Sequence, residues 1–199
     1  MITLALVAVA AMVPVGAAEA APTTRSLGGG AWSWFGDPRA VHHQGTYNRT
    51  YIGWIDRDGD IKVASYDHST RVRTTAVLAW RLGIDDHNNP SLHVLPDGRL
   101  MVFYSRASRK KMSYRVTSRP EDITSWGRER TLATNTPGSR GYTYPNPVQL
   151  RAEGNRLWLF WRGGNWQPTF STSTNGANTW ATARTLVRYS GERPYIKFA

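Results

Sequence analysis

The residues in this sequence best suited to chemistry are His87, Tyr144, Arg162 and Arg106, and two of them share a register. His87 stands three residues before Pro90, and Tyr144 three before Pro147. Arg162 follows the run RLWLFW, and Arg106 stands one serine beyond the matching run RLMVFY. An imidazole titrates near neutrality and can take a proton. A phenol can supply one, or take one if nearby arginines lower its pKa. A guanidinium holds a carboxylate through paired hydrogen bonds and keeps its charge. Together these groups suit removal of the weakly acidic proton beside a carboxylate, with cations stabilising the dianion and an acid protonating the leaving oxygen. The residue types leave open which of His87 and Tyr144 is the base. Arg106, Asn88, Tyr142 and Arg39 are expected to contact the substrate around them. Each residue also has a plain structural use: His87 can cap the Asn88-Asn89-Pro90 turn, Tyr144 can pack on Tyr142, and Arg162 can stack on Trp161 or Trp166.

Residues so far apart in sequence meet only if a repeating scaffold gathers them. Leu78, Leu132 and Leu186 close three similar stretches and are spaced 54 residues apart, the length of one four-stranded propeller blade. Prolines open an apolar run in each unit, at Pro38, Pro90 and Pro147, and Pro194 opens a fourth. The fold expected is all-β, a β-propeller of four-stranded blades with about three blades and the start of a fourth. Their approximate bounds are 31–82, 83–136, 137–190 and 191–199. The second unit predicts strands at 89–95, 99–104, 111–116 and 128–133, with a tight turn at Pro96-Asp97-Gly98. The third predicts 148–150, 156–161, 169–173 and 183–187; the first, 39–42, 50–54, 61–66 and 72–78. First strands of blades line a central channel, so His87 and Tyr144 should face one funnel. Second strands run antiparallel to the first, which brings Arg162 and Arg106 to the same face. Tyr144 precedes a proline and is expected to be extended.

Between the third and fourth strands of the last unit lies STNGANTW, residues 173–180, close to the Asp-box pattern S-x-D-x-G-x-T-W with Asn175 for Asp and Ala177 for the second Gly. Its role is a capped turn with an interblade tryptophan. TSRPEDITSW, ending at Trp126, is a degenerate counterpart. With DDHNNPSLHVLPDGRL, YTYPNPVQL and RLWLFWRGG, these motifs resemble the BNR-repeat, sialidase-type β-propellers, and more narrowly the branch that includes the ulvan lyases. The resemblance covers most of residues 31–199. It implies a ring of about seven blades, of which these residues are a fragment. It also implies a catalytic His, Tyr and Arg, matched here by His87, Tyr144 and Arg162, in a polysaccharide lyase that cleaves an acidic, uronate-containing glycan by β-elimination. A sialidase-like hydrolase is an alternative, for which Asp37, Arg39, Asp85 and Asp86 are available without forming a complete set. Another is a non-catalytic glycan-binding propeller using Trp158, Trp161 and Trp166 as platforms.

Composition narrows the partners. The first twenty residues are apolar and end in Ala18-Glu19-Ala20, which reads as a secretory signal over residues 1–21, followed by a glycine-rich linker at 22–30. The protein is therefore expected to be secreted, with no stable membrane insertion after cleavage. Without cysteine, neither disulfides nor thiolate metal sites are available. A net charge of +11 favours polyanions, and for an exported protein the natural one is an acidic polysaccharide rather than nucleic acid. No cofactor or metal is expected. Asp56-Arg57-Asp58-Gly59-Asp60 lacks the sixth-position glycine of a calcium loop and reads as a hairpin turn. His42 and His43 are adjacent and point to opposite faces of a strand. His93 is read as packed or channel-lining.

Overall fold

The structure is a computed structural model that describes residues 26–31, 33–106, 110–133, 136, 138 and 141–198. The expected signal segment and residues 22–25 of the expected linker lie outside the described residues. Among the described residues there is no α-helix, and no helix is long and apolar enough to cross a membrane.

The chain forms three antiparallel sheets in sequence order, an all-β fold. The first contains β1 (Gly30–Ala31), β2 (Ala40–Gln44), β3 (Asn48–Asp56), β4 (Ile61–Asp67) and β5 (Arg73–Ala79). The second runs β6 (Ser91–Val94), β7 (Leu100–Ser105), β8 (Lys111–Val116), β9 (Arg130–Ala133). The third runs β10 (Thr143–Leu150), β11 (Arg156–Arg162), β12 (Pro168–Ser173), β13 (Arg184–Thr185). In the first sheet, β1 and β2 share one edge of β3, with Ala31 opposite Ile55 and Ala40 opposite Ile52. This corrects the four-strand expectation for that unit, and it takes Gly30 out of the linker. The reason is a loop, described from Ser33 to Arg39, that leaves the sheet between two pieces of its edge.

Strand β7 shows how the sheets are held together. Its six residues are all buried, and alternation divides them between two cores. Leu100, Val102 and Tyr104 join Tyr51, Ile55 and Val63 of the first sheet, while Met101 and Phe103 join Leu157, Leu159 and Trp161 of the third. A strand apolar on both faces therefore marks the sheet packed between two others. Gly53 permits the approach on the first side, because a Cβ there would lie 3.0 Å from Pro90. Strands β2, β6 and β10 are neighbours in space, which places the inner edges of the three sheets together.

The turns after the third strands reach into the preceding sheet. The Ser173 hydroxyl accepts from the Ala177 backbone at 3.0 Å, and Asn175 Oδ1 accepts from the Thr179 backbone at 3.0 Å. That closure delivers Trp180 edge-on to Phe103 and Tyr114, at 6.0 and 6.1 Å. Tyr114 donates its hydroxyl to the Ala177 carbonyl at 2.8 Å. In the second sheet, Asp122 accepts from Thr124 and Trp126 packs against the first core. Ser173→Ala should therefore lower stability by about 1–2 kcal/mol, as loss of a capping hydroxyl does. Urea unfolding midpoints of the two proteins check this.

The tempting cation motifs resolve into structure. Asp56 Oδ1 accepts from the backbones of Asp58 and Asp60, both at 2.9 Å, and its other oxygen pairs with Lys62, so this is a hairpin turn. His42 bonds Asn48 at 2.7 Å, while His43 lies 3.8 Å from Glu121 on the other face. His93 bonds Gln149 at 3.0 Å across the inner edges, and burial pushes its ring pKa down.

Candidate functional site

The site lies where β6 and β10 begin and β7 and β11 end. Asp85 caps a single 3-10 turn, Asp86–Asn88, and one of its oxygens accepts from both the His87 backbone at 3.0 Å and His87 Nδ1 at 2.6 Å. Asp86 lies 3.1 Å from the same nitrogen. An ionised carboxylate only accepts, so Nδ1 is the donor, and in the neutral tautomer this selects the lone pair lies on Nε2. Burial pushes the Asp85 carboxyl up, but the His87 backbone and ring outweigh it and hold the group below the usual carboxylate range.

The His87 ring stacks on Tyr144, with centroids 5.1 Å apart and planes inclined by 28°. Tyr144 sits in a bulge of β10 between Thr143 and Asn146. Its φ of 60° corrects the extended backbone expected before Pro145. The bulge is held from a distance, because Asn146 Nδ2 donates to the carbonyls of Tyr144 at 2.8 Å and Phe35 at 2.9 Å. Burial raises the Tyr144 phenol well above its ordinary value, outweighing the lowering by Arg162. The hydroxyl is thus protonated at neutral pH.

Arg162 ends β11 opposite Thr143 and is 7% exposed. Its guanidinium carbon is 4.7 Å from the Tyr144 ring centre and 4.6 Å from that of Tyr195. No carboxylate among the described residues pairs with it, and its Nε has no hydrogen-bond partner there. A buried charge in that condition carries a large desolvation penalty, which an incoming anion would offset. Tyr144, Arg162, Pro194 and Tyr195 line a small cavity of about 10 Å³.

The other expected contacts fall elsewhere. Arg106 donates to the carbonyls of Leu82 and Arg81, both at 3.0 Å, and is held on the connection between the first two sheets. Asn88 is buried and donates to the Gly83 carbonyl at 3.2 Å. Tyr142 is fully buried in the second core, its hydroxyl donating to Thr136 and Gly138 carbonyls. Asn88 and Tyr142 are buried and brace loops, while Arg106 is exposed. Arg39 bonds the Ser33 carbonyl and pairs with Asp37 at 3.4 Å, stiffening the loop that carries Phe35.

Phe35 and Tyr195 complete the aromatic wall and were not anticipated. Phe35 lies 5.5 Å from Tyr144 and 4.4 Å from Tyr195. A signal for Phe35 existed: it stands three residues before Pro38, the same offset that links His87 to Pro90 and Tyr144 to Pro147. Among the described residues, one grouping has the geometry to hold a metal, Asp85, Asp86 and His87, whose ligand atoms lie within 4.8 Å of one another.

Three tandem sheets with aromatic and basic residues gathered at one end of their inner strands define a repeat protein of the all-β class. Residues 49–198 match the family described as BNR repeat-containing family member, and the chain belongs to that family. Comparison with curated proteins gives no match. Among solved structures, the chain is similar to an ulvan lyase of polysaccharide lyase family PL25 bound to -[GlcA(1-4)Rha3S]-, with a TM-score of 0.60 and 20% identity over 82% of this chain and 41% of that one. It is also similar to polysaccharide lyase Uly1, with a TM-score of 0.53 and 15% identity over 86% and 45% of the two chains. The chain thus spans about two fifths of the length of these lyases. At such identities the likeness concerns the fold.

Proposed function

We propose that these sheets are blades of a partial β-propeller belonging to a secreted polysaccharide lyase, acting by β-elimination on a uronate-bearing glycan. The observation that carries this reading is Arg162, a buried guanidinium without a carboxylate partner among the described residues, against the stacked pair of His87 and Tyr144. The uronate carboxylate docks on Arg162. His87 Nε2 takes the proton from the carbon beside it, and the electron pair forms the new carbon–carbon double bond. As the bond to the glycosidic oxygen breaks, Tyr144 gives that oxygen its proton. Exchange with water then returns a proton to Tyr144 and removes one from His87. Tyr144, protonated and stacked on His87, is placed to serve as the acid, and the carboxylate-held Nδ1 proton supports the base role of His87.

Incubating the protein with acidic polysaccharides and following the ultraviolet absorbance of an unsaturated uronate tests the proposal. New reducing ends without that absorbance would instead mark a hydrolase, and glycan retention with neither would mark a binder. Asp85 acts as a positioning residue for the His87 ring. Asp85→Asn should reduce kcat by about 10- to 100-fold, less than where a fully buried carboxylate orients the imidazole, with KM nearly unchanged. A KM effect larger than the kcat effect would contradict this role.

A further inference from the structure

A groove of about 700 Å³ opens at the end of β11, within the ~300–1,000 Å³ range of small-molecule sites. One wall is the turn Gly164–Trp166 with Gln167, and the other is the segment from Arg188 to Arg193. Both walls continue from the candidate site: Gly163 joins the first to Arg162, and Pro194 joins the second to Tyr195. Reciprocal bonds tie the walls together, with Gln167 Nε2 donating to the Tyr189 carbonyl at 3.0 Å and the Tyr189 backbone donating to Gln167 Oε1 at 2.7 Å.

Two features point to a ligand. The Arg193 guanidinium lies 4.0 Å over the Trp166 ring, which fixes its plane while leaving N–H edges available to an anion. Asn165 and Trp166 have φ of 53° and 59°, and left-handed backbone is an outlier for a bulky indole residue. Tyr142 and Tyr144, both at 60°, flank the adjoining site, so four of the nine non-glycine residues with positive φ among the described residues gather here. Strain of this kind concentrates where ligands are clamped.

We propose that this groove is the subsite for a flanking sugar of the acidic glycan. Arg193, seated on the Trp166 ring, and Arg188 hold the sugar's carboxylate or sulfate against the single opposing charge of Glu192. The inference rests on the acidic-glycan reading of the neighbouring site.

Calorimetric titration of the 199-residue protein with a uronate disaccharide and the corresponding tetrasaccharide tests it. The tetrasaccharide should bind more tightly. Trp166→Gly and Arg193→Ala should each weaken tetrasaccharide binding about tenfold, the scale of one aromatic or charge-assisted contact, and leave the disaccharide unchanged. Glycine suits the backbone at position 166, so the first variant should not lower the melting temperature. Unchanged tetrasaccharide affinity in both variants, or equal losses for both sugars, would overturn the subsite and leave the lyase reading standing. A wild-type protein that binds neither sugar would overturn the acidic-glycan reading, and the subsite with it.

Discussion

His87→Ala is expected to lower the rate of uronate elimination by about a thousandfold, within the ~10²–10⁴ range attributed to a positioned general base. The loss should fall on kcat, because His87 contributes its lone pair at the reacting proton while the carboxylate is held by Arg162. Its side chain is 34% exposed and makes no hydrogen bond into either core, so the melting temperature should hardly change. What the substitution removes is the ring stacked on Tyr144 and the partner of the Asp85 carboxylate. Initial rates read from unsaturated-uronate absorbance, alongside thermal unfolding, separate the two effects. Wild-type turnover in the variant would remove His87 from the mechanism.

Arg162→Met should move activity and stability in opposite directions. Loss of the guanidinium takes away the cation for the substrate carboxylate and its dianion, and kcat/KM should fall by about 10²–10³, as for removal of one preorganised charge stabiliser. The same change deletes a buried charge without a carboxylate partner among the described residues and replaces it with an apolar chain of similar length. The melting temperature should therefore rise. Stabilisation with lost activity is the signature of a group kept for function. A destabilised variant would mean that the stacking of Arg162 between Tyr144 and Tyr195 supports the fold instead.

Much of the architecture was legible because it is local and repeated. The expected strand at 111–116 forms as Lys111–Val116, and the one at 99–104 as Leu100–Ser105. The turn at Gly98, with φ of 80°, falls where Pro96-Asp97-Gly98 placed it. Trp180 reaches the neighbouring sheet as a capped turn requires. The site was legible only where the repeat register governs. His87 and Tyr144 meet because equivalent inner positions of adjacent sheets must be neighbours.

Elsewhere distant partners intervened. Arg106 lies one residue beyond the position that Arg162 holds, which Ser105 occupies in the second sheet, and the carbonyls of Arg81 and Leu82 capture it. Tyr142 and Tyr144 are two residues apart and would share a face of a regular strand. The bulge separates them, burying Tyr142 completely and leaving Tyr144 against His87 and Arg162. The split edge of the first sheet has the same origin, since the loop that interrupts it is held through Asn146, whose side chain reaches the Phe35 carbonyl.

By itself, the sequence determined the strands, the turns between them and the unit length, since alternation and turn chemistry act over a few residues and recur every 54. The tertiary structure alone decided which polar side chains reach the site and which brace loops. That choice depends on backbone carbonyls and carboxylates brought near by packing, and a hydrogen bond forms with whatever partner the fold places within about 3 Å.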